Sequence, residues 1–586
     1  ANVREYYKKS TLIRKDDRLE IQLSEIYDRM ATLFSITEEQ KEQLIAWECE
    51  AEIRSVIPLK HTIQYLKDRL AEGNDVVLIS DMYLPKEIIN QMLAKADPLL
   101  ATLPLFLSSD YGYQKTTRKL FLEVYDSLDY HYSEWIHMGD SPFADNTQPS
   151  CLGIHTQPIA IPEMNEYETK MATFTEEYGV HSVAKLFRNF RLEGHDDREI
   201  FAYEYASLYF VPYVHWAVID AMARGYKTLY FISRDGYYLK LAADAIIQSK
   251  GFDIRTKYIY GSRKAWRVPS FIDHVDEEFF EIYGNFSGVR NFEKLLAALL
   301  IDEKTFLNFF PELGYLKNKK RYSDQLIADI SLKLKRSAAY QKHLLGVAKE
   351  QRGIVIDYLR QEINFDEPFA FVEYWGRGYT QDCLTRLLQE TAGRQIDNPM
   401  YYVRSIYPTI GQSIRYNYTC NTHSLIFAES IFANLPYKTI EKYERQDNEI
   451  RPVFHSCEND KQMNQALETF LVRFANDFCS LQLEDEATTG HYLYDFGMAY
   501  FQPSTNDPIL LNVFGSLKDA VALGERATEY APPVTFKTIL DWMHGQSYHT
   551  KSVEMSMKKS KPIYRWIYKS YCYYCDNIRG KWFRRK

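Results

Sequence analysis

The sequence contains no run of the roughly 18 apolar residues that a membrane-spanning helix requires. Its longest candidate, Tyr209 to Ala223, is broken by Pro212, His215 and Asp220, and reads as a buried amphipathic helix. No secretory leader is indicated, because Ala1 is followed by a charged, helix-prone segment. Cysteine is sparse. The eight cysteines form no framework, and only Cys572 and Cys575 make a C-x-x-C, without the second pair a zinc site needs. The thiols are therefore expected to be reduced, in a cytoplasmic protein. The 14 histidines show no metal-ligand spacing, so no zinc is expected. Basic charge is also lacking: a net charge of −8 argues against a nucleic-acid binder, which needs a basic face. No internal repeat and no low-complexity tract is found.

What is present is a chain of 586 residues, too long for one core, which suggests two to four domains. With 46% apolar and 26% charged residues it has the profile of a globular protein. Tyr (46) and Phe (33) are abundant; such rings fill cores and also suit sugar stacking.

The pattern predicts an α/β chain. Residues 1 to about 70 read as charged helices. A buried parallel strand is expected at Asp75–Ile79, then a strand at Leu103–Leu107, a helix at Thr117–Leu128 and a strand at Trp135–Met138. This is the rhythm of a doubly wound domain over residues 1–160. A linker-like stretch spans Pro158–Glu168. A second α/β domain is expected over 161–548, with strands at Thr228–Ile232, Tyr258–Tyr260, Ala370–Glu373 and Met400–Arg404 and a helical insertion at about 273–365. Residues 549–586 form a basic, aromatic tail suited to an anionic membrane surface, or to docking on the protein itself.

Three segments of the first domain carry chemistry. The strand ending Val76-Val77-Leu78-Ile79 delivers Ser80 and Asp81 to its carboxyl end, where ligands of open α/β sheets bind. Lys115 follows in Ser108-Ser109-Asp110-Tyr111-Gly112-Tyr113-Gln114-Lys115. Asp140 and Asp145 lie in His137-Met138-Gly139-Asp140-Ser141-Pro142-Phe143-Ala144-Asp145. In this order the segments resemble the later motifs of the haloacid-dehalogenase superfamily of phosphatases, whose sheet carries a helical cap. The resemblance implies that Ser80 holds a transferring phosphoryl group, that Lys115 neutralises it, and that Asp140 and Asp145 hold Mg²⁺. The superfamily's nucleophile, the first aspartate of a D-x-D on the first strand, has no counterpart. Asp16 and Asp17 sit among charges, and Asp81 belongs to the serine motif. Either the natural chain starts earlier, which is the favoured expectation, or the domain has lost catalysis. No phosphatase turnover is expected of this polypeptide.

In the second domain Thr228–Ile232 runs into Ser233-Arg234-Asp235-Gly236 and then a helix, placing N–H groups, Ser233 and Arg234 where an anion would bind. Tyr260-Gly261-Ser262-Arg263-Lys264-Ala265-Trp266-Arg267 sets three cations after another strand. Phe369–Glu373 leads to Tyr374-Trp375-Gly376-Arg377-Gly378-Tyr379-Thr380-Gln381, where small residues admit a phosphate and Arg377 can bind it as a fork. Thr380 completes this set. The alternative is that each arginine pairs with a domain carboxylate. Phe427–Ile431 through Tyr437 and Lys438 is either part of an acceptor groove or a plain amphipathic helix.

These motifs, behind a dehalogenase-type domain, resemble the dual-domain ribofuranosyltransferases of bacterial O-antigen and capsule biosynthesis. The resemblance implies transfer of ribosyl 5-phosphate from phosphoribosyl pyrophosphate to a lipid-linked or growing glycan, with the phosphatase then removing the 5-phosphate. It implies Mg²⁺ as cofactor, Asp235 and Glu373 as candidate bases, and a cytoplasmic protein, peripheral at the inner face of the plasma membrane through its tail. The usual phosphoribosyltransferase signature, two acids and a T-T-G-like loop, has only a loose counterpart in Glu373 and Gly376–Thr380. Competing readings are a sugar-phosphate hydrolase with a glycan-binding domain, a nucleotide-sugar-dependent transferase and a non-enzymatic scaffold.

Overall fold

The computed structural model describes residues 20–159, 163–281, 285–286, 288–405, 413–420, 426–433, 435, 440–454, 460–519, 528–543 and 550–574. Asp16, Asp17, Tyr437, Lys438, Cys575 and the rest of the tail lie outside them. The protein is α/β, and it divides into two compact units. One is Ala1–His195 with Leu481–Glu484; the other is Asp196–Ser480 with Asp485–Lys586. The helix Glu166–Ala172, which begins inside the expected linker, and the helix Tyr178–Leu192 belong to the first unit, so the division falls at His195 and not near residue 160.

The first unit opens with helices α1 (Leu23–Phe34), α2 (Glu38–Ser55) and α3 (Lys60–Ala71). Leu23, Tyr27 and Cys49 from these helices share a core with Leu84, Ile89 of α4 (Lys86–Ala96), and Leu105 and Leu107. Strand β1 is Leu78–Ser80 and β2 is Leu105–Leu107; they pair in parallel, Leu78 opposite Leu105. After α5 (Lys119–Asp126), β3 (Ile136–Gly139) pairs in parallel with β4 (His155–Pro158). Among the described residues these are two separate two-stranded sheets. β1 and β2 are shorter than the apolar runs that announced them, while β3 keeps its expected length shifted by one residue.

The second unit is built on one five-stranded, all-parallel sheet. Its strands are β5 (Thr228–Ile232), β6 (Arg255–Ile259), β7 (Phe369–Val372), β9 (Met400–Tyr402) and β11 (Arg415–Asn417), in the order β11-β9-β7-β5-β6. Two short strands, β8 (Trp375–Gly376) and β10 (Arg404–Ser405), pair beyond the ends of β7 and β9. In chain order the sheet reads 2-1-3-4-5, a doubly wound order whose direction of winding reverses between β5 and β7. Central β5 and β7 are buried along their whole length, whereas edge strand β6 alternates exposed and half-buried residues. That alternation hid Arg255–Lys257 from a reading based on apolar runs, so β6 starts three residues before the expected Tyr258.

Helices cover both faces. α6 (Ser207–Ala223) and α7 (Gly236–Lys250) pack together on one side, where Trp216 meets the Tyr401 ring and the Tyr401 hydroxyl donates to Asp220 at 2.8 Å. On the other face, Val355, Tyr358 and Leu359 of α8 (Ala338–Glu362) and Leu384, Leu387 and Leu388 of α9 (Tyr379–Ala392) pack on Tyr230, Phe371 and Met400. The amino-terminal half of α8 belongs to a second core. There Tyr340 and Leu344 meet Phe279, Leu295, Phe306 and Ile330 of the helical insertion.

Candidate active site

The crevice at the carboxyl ends of β5 and β7 is where the winding reverses, and ligands of such sheets bind there. Phe231 lies opposite Val372, so Ser233–Gly236 and Glu373–Gly376 leave the sheet side by side. On the other side of β5, Ile232 is level with Ile259. There the Ser233 hydroxyl donates to the Gly261 carbonyl at 2.8 Å and accepts from the Gly261 N–H at 3.0 Å. Ser233 thus ties two loops together, which occupies its hydroxyl. The Ser233–Arg234 peptide is cis. Arg234 reaches Asp235 through its Nε at 3.2 Å, and Gly236 begins α7 against the Phe231 backbone.

Glu373 is the electrostatic centre of this crevice. Its main chain is fixed: its N–H donates to the Tyr401 carbonyl at 3.0 Å and its carbonyl accepts from Tyr213 at 2.7 Å. Burial and then the charge of Asp235 push its carboxyl up to about 8, while Arg263, the Tyr402 hydroxyl and Arg234 pull the other way. The two candidate bases are therefore neighbours. Gly376 packs tightly against Glu373 and Tyr402, since a Cβ there would lie 2.9 Å from the Tyr402 ring and 3.3 Å from the Glu373 carboxylate.

The Gly378–Thr380 segment is braced by Arg415, which the sequence reading missed. Gly378, at φ +87°, caps α9, and any side chain there would collide with the Arg415 guanidinium at 2.2 Å. Arg415 is buried, and donates to the Gly378 carbonyl, Gln381 and Asp382. The cations after β6 do not act as one group. Lys264 turns to Glu441 at 3.1 Å, while Arg263 and Arg267 line a shallow surface crevice with Trp266, Tyr379, Thr380 and Cys383. Arg377 is ion-paired with Glu278 of the insertion at 3.0 Å. Phe427–Ile431 lies within the helix Ile426–Phe432, with Phe427, Ala428, Ser430 and Ile431 buried, as core.

In the first unit Lys115 Nζ meets Asp145 at 2.6 Å, and His137 Nε2 lies 2.9 Å from the same carboxylate oxygen. The Ser141 N–H donates to the other oxygen at 3.1 Å. Burial alone would raise Asp145, but His137 and Lys115 hold it well below the usual carboxylate range. The Lys115 N–H donates to Asp81, next to half-buried Ser80 at the end of β1. Asp140 is exposed. Among the described residues no cluster of three or more His, Cys, Asp or Glu could hold a metal. Mg²⁺ asks less of a protein, one or two carboxylates with water and substrate phosphates. Asp235 fits that demand, whereas both oxygens of Asp145 are already engaged.

No protein-family model matches the chain, and a search of curated proteins finds no significant relative. Fold and site define an α/β protein whose second unit presents an acid pair among arginines at the switch point of a parallel sheet.

Proposed function

We propose that the second unit is a glycosyltransferase of the phosphoribosyltransferase type, moving ribosyl 5-phosphate from phosphoribosyl pyrophosphate to a glycan hydroxyl. The observation that carries this reading is Glu373: a carboxyl raised to about 8, beside Asp235, with arginines around it, at the switch point. A carboxylate of that basicity takes a proton from a hydroxyl far better than an ordinary one. The acceptor oxygen forms its bond to C1 of the donor. The bond from C1 to the pyrophosphate oxygen breaks, the electron pair leaves with pyrophosphate, and the acceptor proton passes to Glu373. Arg234 and Arg377 stabilise the leaving charge, with Arg377 exchanging Glu278 for the ligand. Asp235 would hold a donor-bound Mg²⁺, which would supply further positive charge to the leaving group.

We read the first unit as a dehalogenase-type phosphatase domain, a reading supported by Ser80 at the end of β1 and by Asp140 and Asp145 following β3, with Lys115 bonded to Asp145. β1 and β3 each pair on one side only among the described residues. Without an aspartate nucleophile the transferred 5-phosphate is expected to stay on the product of this polypeptide. No helix among the described residues is long and apolar enough to cross a membrane. The helix Pro562–Tyr574 exposes Ile563, Trp566 and Tyr573 beside Lys569, which supports a peripheral site on an anionic surface.

The test is to incubate the chain with Mg²⁺, phosphoribosyl pyrophosphate and a panel of synthetic glycans and to weigh the products. An adduct of one ribosyl 5-phosphate is expected. Absence of both adduct and donor binding would refute the transferase.

A further inference from the structure

We propose that Tyr402 is a positioning residue for Glu373: its buried hydroxyl, level with Glu373 on the neighbouring strand, is the donor that holds the ionised carboxylate in place. The proposal rests on the transferase reading only for what the held carboxylate does, and not for the pairing itself.

Strand register brings the two side chains together. Val372 of β7 lies opposite Tyr401 of β9, so the next residues, Glu373 and Tyr402, are level on adjacent parallel strands. The ladder continues through that level. The Glu373 N–H donates to the Tyr401 carbonyl at 3.0 Å, and the Val403 N–H donates to the Tyr374 carbonyl at 2.9 Å. Level residues on neighbouring strands point to the same face of a sheet, and the strands lie about 5 Å apart. Gly376 then closes over both. A Cβ there would lie 2.9 Å from Tyr402 Cε1, 3.5 Å from the hydroxyl-bearing Cζ and 3.3 Å from Glu373 Oε2. The hydroxyl end of the ring and the carboxylate therefore meet over one backbone atom.

The rest of the core leaves this hydroxyl to Glu373. Tyr402 is 0% exposed, and its oxygen is buried without an acceptor in bonding geometry. Three other tyrosines of the same core are satisfied. Tyr230 accepts from the Asn364 N–H at 2.9 Å, Tyr358 accepts from the Tyr260 N–H at 2.8 Å, and Tyr443 donates to the Tyr260 carbonyl at 2.6 Å. A buried hydroxyl with no partner costs stability that a phenylalanine would not. The other groups nearby are committed or act only through charge. The Tyr213 hydroxyl donates to the Glu373 carbonyl at 2.7 Å, and Arg415 is bonded to Gly378, Gln381 and Asp382. Asp235, Arg234 and Arg263 reach Glu373 by charge, as Arg415 and Asp382 reach Tyr402. Burial and then Asp235 raise the Glu373 carboxyl, and the Tyr402 hydroxyl is among the groups that oppose them.

The experiment is a pH titration of the full chain by difference infrared spectroscopy, following the protonated carboxyl band of Glu373, which its loss in Glu373→Gln identifies. Wild type is expected to lose the band through a pH of about 8. In Tyr402→Phe the inflection should move up by about one pH unit, because a hydrogen-bond donor to the ionised form is gone. This variant keeps the ring that fills the core, so it is expected to fold. Tyr358→Phe, the same change elsewhere in that core, should leave the inflection in place. An inflection that Tyr402→Phe leaves unmoved or lowers, or that Tyr358→Phe raises as far, overturns the proposal. A shift in Tyr402→Phe alone, with no ribosyl transfer by wild type, keeps the pairing and removes its role in transfer. Transfer by wild type with an inflection unmoved in Tyr402→Phe keeps the transferase and removes Tyr402.

Discussion

Each unit sets a carboxylate among cations at the ends of parallel strands, yet the two carboxylates are driven in opposite directions. Asp145 touches Lys115 and His137 directly and is held ionised; its charge is spent on its neighbours. Glu373 has arginines within electrostatic reach, a second acid beside it and burial around it, and it rises to about 8. The difference lies in pairing, since cations are near both. A paired acid stabilises a loop, whereas an unpaired one stands ready to take a proton.

The strongest way to break this contrast is to neutralise each acid's partner set in turn. Glu373→Gln is expected to lower the transfer rate by about 10³-fold while donor affinity changes little; steady-state kinetics with a competent acceptor check this. Lys115→Met should leave the rate unchanged. The same pair differs in stability. A carboxyl raised in the folded state costs stability as pH climbs from its ordinary value, 4.5, to about 8. Glu373→Gln should therefore melt above wild type at pH 8, with the gap closing towards pH 4.5. The opposite sign holds for Asp145, whose lowered carboxyl contributes stability above its ordinary value of 3.8 that is lost as pH falls below it. Lys115→Met removes one partner of that buried charge, leaving His137 and the Ser141 N–H, and should destabilise the first unit by about 2 kcal/mol at neutral pH, read by denaturant melts.

A further change sharpens the role of the brace. Gly378→Ala places a Cβ against Arg415 at a positive φ, and should destabilise the second unit by about 2 kcal/mol in the same measurement. The smallest effect is expected for Lys264→Ala. Because Lys264 faces Glu441, donor affinity by calorimetry should stay within about twofold, as befits an exposed ion pair.

The sequence made the central strands legible because β5 and β7 are continuous apolar runs, and it placed Asp235 and Glu373 at their ends. It could not order the strands, so the switch point, which makes those two residues neighbours, was not visible. β11 escaped for a plain reason: Arg415-Tyr416-Asn417 at the sheet edge carries no apolar run, and Arg415 itself lies 37 residues from the Gly378 it braces. The grouping of Arg263, Lys264 and Arg267 by adjacency was too coarse. One helical turn sends Lys264 to a hairpin formed by β12 (Ile440–Gln446) and β13 (Glu449–Phe454), and leaves the other two facing Thr380. The role of His137 is not legible from its motif, because its bond to Asp145 depends on the turn after β3.

The most direct test is the pH dependence of kcat/KM for ribosyl 5-phosphate transfer, in wild type and in Asp235→Asn. A rise with pH through an apparent pKa near 8 is expected in wild type, with the inflection moving to lower pH once the charge of Asp235 is removed. A profile flat over roughly pH 6 to 9, or one that Asp235→Asn leaves in place, would contradict the assignment of Glu373 as the base.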